Sequence, residues 1–181
     1  MIRFSDFLIK NRYLRFLILT PIAAFCLSSV FQPCLRRSAA GREYLLFANT
    51  IETVDAGFLE NEITNSKSEV LIVDFWATFC SPCTEQAPVF SNIYKKYRSK
   101  GLSIIGISFD FDKEKLQKFI SKTEINYPVY LGNEDVGFHY DIRSIPTTFI
   151  YDRDRKLVQN HVGLVGEDEL SQIIEELLKD K

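Results

Sequence analysis

Cys80 and Cys83 are the residues of this 181-residue chain whose type and spacing promise chemistry. The apolar, β-branched run at residues 70–76 leads straight into Ala77-Thr-Phe-Cys80-Ser-Pro-Cys83, and a helical pattern follows. Such a run reads as a buried central strand. Cys80 then falls at the mouth of the next helix, where unpaired N–H groups and the helix dipole stabilise a thiolate. Cys83 lies one helical turn on, close enough to close a disulfide with it. A zinc site is the first competing reading, but it needs four ligands. The other cysteines, Cys26 and Cys34, lie in an apolar amino-terminal segment, and His139 and His161 lack short ligand spacing. A purely structural bridge over so short a loop removes little chain entropy. The spacing therefore predicts a redox-active disulfide, with no metal and no other cofactor.

Helices and strands are expected around this pair. Residues 50–54 read as an opening strand, and Asp55 as the cap of a short helix reaching 65. The helix carrying the cysteines should run over 82–98, with Phe90, Ile93 and Tyr97 inward and Gly101 ending it. A second buried strand follows at 102–109, then a helix capped by Asp112 and reaching 122. A short strand at 128–131 and a short helix at 133–140 precede two strands, 147–151 and 156–162. An amphipathic helix over 166–181 closes the chain. Alternating strands and helices ending in a hairpin predict an α/β fold, a central mixed sheet flanked by helices.

These residues resemble a known family. Asp74-Phe-Trp-Ala-Thr-Phe-Cys80-Ser-Pro-Cys83 is similar to the active-site run of the thioredoxin superfamily, and Pro88 stands where that family kinks its active-site helix. Ser144-Ile-Pro146-Thr-Thr-Phe-Ile150 resembles its cis-proline loop and the strand after it. The long interval from Cys83 to Pro146 looks like the membrane-tethered TlpA/ResA branch, which inserts a β-α element there. The resemblance spans about residues 50–181. Gln86 departs from the glutamate common in that branch, with Glu85 one place earlier. Asp74 departs from its asparagine and is similar instead to the buried acid of thioredoxins proper. A peroxidatic cysteine would want a threonine three residues upstream and a proline further back, where Ala77 and Val73 stand.

The resemblance implies roles. Cys80 would be the nucleophile, Cys83 the resolving thiol, and Asp74 a buried acid of raised pKa that helps deprotonate Cys83. Pro146 would lie against the dithiol and expose the Ile145 backbone, on which an extended substrate could pair. Trp76 is expected either at the rim of the site or as a packing aromatic, while Ser81 and Pro82 shape the helix start. The implied activity is a thiol–disulfide oxidoreductase, foremost a reductase of protein disulfides in the bacterial cell envelope. Its clients would be apocytochrome c or other exported proteins, and its electrons would come from a membrane donor. An oxidase or isomerase on the same fold, or a non-catalytic metallochaperone or assembly factor, are the alternatives.

Charge is unevenly placed. Residues 1–42 hold seven Lys/Arg against one acid, and the remainder holds 15 basic and 23 acidic residues. An acidic folded part has the wrong sign for phosphate backbones, so nucleic-acid binding is excluded. Residues 16–35 run without a charge, and fourteen of the twenty are apolar, enough to span a bilayer. They predict a membrane anchor or a signal peptide over 1–35, joined by a linker at 36–49 to the folded domain. Basic residues before the span favour export of that domain. Arg36 and Arg37 directly before Ser38-Ala-Ala40 disfavour cleavage there.

Overall fold

The computed structural model describes residues 51–179. The expected anchor, the linker, Cys26 and Cys34 lie outside the described residues. In chain order the elements are β1 (Thr53–Val54), α1 (Ala56–Asn65), β2 (Val70–Trp76), α2 (Ser81–Tyr97), β3 (Leu102–Ser108), α3 (Lys113–Thr123), β4 (Val129–Gly132), α4 (Glu134–His139), β5 (Thr147–Tyr151), β6 (Leu157–Val162) and α5 (Glu167–Lys179). They form one mixed sheet in the order β1-β4-β3-β2-β5-β6. The first four strands run parallel, and β5 and β6 are antiparallel to their neighbours.

β2 pairs along its whole length with β3 and over five residues with β5, and every residue in it is buried. Helices cover both faces, which is why its sequence reads as an unbroken apolar run rather than an alternation. Side chains still alternate between the two cores. Val70 and Ile72 meet Phe90, Ile93 and Tyr97 of α2 and Leu170 and Ile174 of α5. Leu71, Val73 and Phe75 pack instead with Leu59 and Ile63 of α1 and Val136 of α4. Asp74 and Trp76 share the first face, directly under α2 and α3.

Local signals fix the helix starts. Asp55, Asp112 and Asn133 cap α1, α3 and α4 with side-chain oxygens that accept backbone N–H bonds. Gly101, at φ +108°, ends the 3₁₀ turn after α2 and lets the chain reverse into β3. The expected β-α element before Pro146 is present as β4 and α4. β1 is shorter than expected, its register with β4 covering Thr53 opposite Leu131 and Val54 opposite Gly132.

Gly106 lies opposite Asp74 in the β2–β3 register. A Cβ there would stand 3.2 Å from Trp76 Nε1, from Tyr127 Cε2 and from Val129 Cγ2. Three close neighbours cannot all yield in a dense core. Gly106→Ala is therefore expected to lower stability by about 1–3 kcal/mol. Urea unfolding followed by Trp76 fluorescence checks this.

Candidate active site

The carboxyl end of β2 and the amino end of α2 meet at Cys80 and Cys83, whose sulfurs are joined in a disulfide with Cα atoms 5.2 Å apart. Cys80 is the N-cap of α2, and the Cys83 N–H donates to its sulfur across 3.3 Å. The two sulfurs differ in access. Cys83 is only 2% exposed and packs with Trp76 and Leu116, whereas Cys80 is partly open. Ser81 and Pro82 form the exposed first turn of α2, with the Ser81 hydroxyl 3.4 Å from Glu85 Oε1. Helix geometry thus directs backbone N–H groups at Cys80 while the apolar floor isolates Cys83.

The proline loop closes the opposite side. The Ile145–Pro146 bond is cis, and Pro146 is buried. The Ile145 carbonyl oxygen lies 3.7 Å from Cys80 Sγ. The loop is held from both ends, since Gly163 N–H donates to the Pro146 carbonyl and the Thr147 hydroxyl donates to that of Ser144.

Beneath the dithiol sits Asp74, 3% exposed. Its Oδ1 accepts from Gln86 Nε2 at 3.3 Å and from the Thr148 hydroxyl at 3.4 Å. Burial raises its pKa from 3.8 to about 8, against the lowering effect of those two bonds. Gln86 stands less than one turn beyond Cys83 on α2, and its Oε1 accepts the Val165 N–H at 2.9 Å. One amide therefore ties the active-site helix to β2, β5 and the segment before α5. The Tyr127 hydroxyl is also held well above its ordinary pKa, first by burial and then by the negative charge Asp74 would carry.

Cys80 is thus placed against Cys83 and Ile145, with Ser81 and Pro82 on the exposed first turn of α2 and Asp74 bonded to Gln86 of the same helix. Trp76 is a correction to the rim reading. It is 1% exposed, because β2 alternation turns it inward under α2 and α3, where it packs on Cys83 and Phe119. The exposed aromatic next to the dithiol is Phe79, at 65%. Sequence reasoning also missed the clamp that seats the loop before Cys80. The Thr78 N–H and hydroxyl both donate to the Asp110 carboxylate, which accepts the Ser108 hydroxyl as well. Asp110 lies just past the strand read at 102–109, and no local signal pairs it with a threonine 32 residues away.

A carboxyl with a raised folded pKa holds its proton more tightly folded than unfolded. The stability this proton contributes is then fully present below about pH 4, falls as pH rises toward about 8, and is gone above that. In urea unfolding of the oxidised protein, Asp74→Asn should flatten this fall. It should be the more stable protein at about pH 8.5.

Comparisons place this geometry among known proteins. A family model described as the AhpC/TSA family matches residues 48–160. A thiol-disulfide oxidoreductase ResA from Bacillus thuringiensis (strain Al Hakam) is 27% identical over 174 residues, 93% of this chain and 98% of that protein. The crystal structure of a putative thiol:disulfide interchange protein DsbE from Chlorobium tepidum is 27% identical, with a TM-score of 0.58, over 64% of this chain and 84% of that one. The thioredoxin domain of a thiol-disulfide oxidoreductase from Bacteroides vulgatus is likewise 27% identical, with a TM-score of 0.58, over 66% of this chain and 84% of that one.

Proposed function

The chain belongs to the AhpC/TSA family and is a thiol–disulfide oxidoreductase of the ResA/DsbE type, and from this we propose that it reduces protein disulfides outside the cytoplasm. The observation that carries the proposal is the unequal access of the two sulfurs. Cys80 is open at a helix amino terminus, and Cys83 is shut away behind it.

In the reduced protein the Cys80 thiolate attacks one sulfur of the client disulfide. A Cys80–client bond forms and the client S–S bond breaks, releasing one client thiolate. The Cys83 thiolate then attacks Cys80 Sγ, forming the Cys80–Cys83 disulfide and releasing the second client thiolate. Two electrons have passed to the client, and a donor must return two. Asp74, in its ionised form, takes the Cys83 proton for the second step and later returns it. The Ile145 carbonyl beside Cys80 supports extended pairing of a client backbone at the proline loop.

The uncharged run at 16–35 and its basic flanks support a tether to the cell envelope, with the dithiol domain on the outer face. The domain carries no nucleotide-binding glycine motif, which supports a protein donor in the membrane. Resemblance to the TlpA/ResA branch supports apocytochrome c or another exported protein as client.

The equilibrium reduction potential of the Cys80–Cys83 pair tests the direction. A value near −270 mV, at the thioredoxin end of about −270 to −120 mV, is expected, and one near −120 mV would make the protein an oxidant. The acid is tested separately. Asp74→Asn should slow closure of the Cys80–Cys83 disulfide by about a hundredfold or more near pH 7 and remove an inflection near pH 8 from its rate profile. Stopped-flow Trp76 fluorescence follows that step.

A further inference from the structure

Two phenylalanines stand in solvent beside the reactive sulfur. Phe79, directly before Cys80, is 65% exposed, and Phe111 is 95% exposed. Their rings stack nearly parallel, 10° apart in plane with centroids separated by 6.2 Å. Burial does not hold this pair. The Thr78–Asp110 clamp does, because it bonds the residue before Phe79 to the residue before Phe111. Asp110 is itself 7% exposed and fixed by Ser108, so the stack has a rigid base.

Large apolar side chains in water carry a cost, and a clustered pair beside a reaction centre marks a contact surface. A client sulfur must come within bonding distance of Cys80 Sγ. Phe79 directly precedes Cys80, and neighbouring client residues lie about 3.3 Å apart along an extended segment, so a residue flanking the client cysteine comes within reach of the Phe79 ring. The Ile145 carbonyl oxygen lies 3.7 Å from the same sulfur.

We infer that the Phe79–Phe111 stack is a client-selecting platform, which takes an aromatic or large aliphatic side chain flanking the client's disulfide cysteine. This rests on the oxidoreductase reading and adds the substrate class to it. Phe79, adjacent in sequence to Cys80, forms one part of the platform, and Phe111, stacked on it, forms the other. A client with serine or glycine at that position leaves both rings in water and gains nothing from them.

The test uses the full chain, pre-reduced, and two disulfide-bridged peptides differing only in phenylalanine or serine beside the attacked cysteine. Trp76, the chain's one tryptophan, packs on Cys83 and reports oxidation of the pair. The wild-type protein should be oxidised about tenfold faster by the phenylalanine peptide, in line with the strength of an aromatic contact. Phe111→Ser should bring the two rates within about twofold, and Phe111→Trp should keep the preference. Equal rates in the wild-type protein, or a preference that survives Phe111→Ser, overturn the platform and leave the oxidoreductase reading standing. Exchange with neither peptide overturns both. Sedimentation as a dimer that Phe111→Ser dissolves would make the stack a self-association face and also overturn the proposal.

Discussion

A carboxyl group held out of water beneath a disulfide is the constraint around which this domain is arranged. Asp74 occupies a central strand where every neighbour is buried, and ionising it there costs several kcal/mol at about 1.4 kcal/mol for each unit its pKa is raised. Such a group is tolerated only with hydrogen-bond partners. Gln86 and Thr148 supply them, and in doing so they bind α2 and β5 to the same oxygen. The helix that carries the cysteines and the strand that follows Pro146 are therefore registered on one acid. Positioning of the dithiol helix and burial of the acid follow from a single set of contacts.

The asymmetry of the two sulfurs grows from the same arrangement. α2 starts at Cys80, so Cys80 lies at the boundary between helix dipole and solvent, while Cys83 faces inward by one turn. Trp76 closes the floor under Cys83, and Gly106 gives the tryptophan room that any side chain would take. Gln86 adds a constraint of its own, because its carbonyl is committed to the Val165 N–H. Its amide must then point toward Asp74 and Thr148, which leaves the acid with a neutral donor rather than a second carboxylate.

Around this core the surface is set by a second acid with a different task. Asp110 is nearly as buried as Asp74, yet it accepts several short bonds from Thr78 and Ser108 and serves as a fastener. It fixes the loop before Cys80 to the exit of β3. Two exposed aromatic rings are carried to the edge of the dithiol by that fastening. Comparable carboxylates thus differ in use because one is supplied with many donors and the other with few.

The sequence by itself determined the local features. Cys80-Ser-Pro-Cys83 after a β-branched run, caps at Asp55 and Asp112, and Gly101 past the helix end each rest on neighbours within a few residues, so chain order suffices to read them. Asp74 was legible as a buried acid because an apolar run surrounds it and the resemblance names its place. Tertiary structure alone decided which distant groups meet: Gln86 with Thr148 and Val165, Thr78 with Asp110, and Phe79 with Phe111. It also placed Trp76 in the floor rather than at the rim. Composition marks an aromatic as fit for either place. Only the register of β2 with β3 and the docking of α2 and α3 on one face of the sheet fix which side chains water can reach.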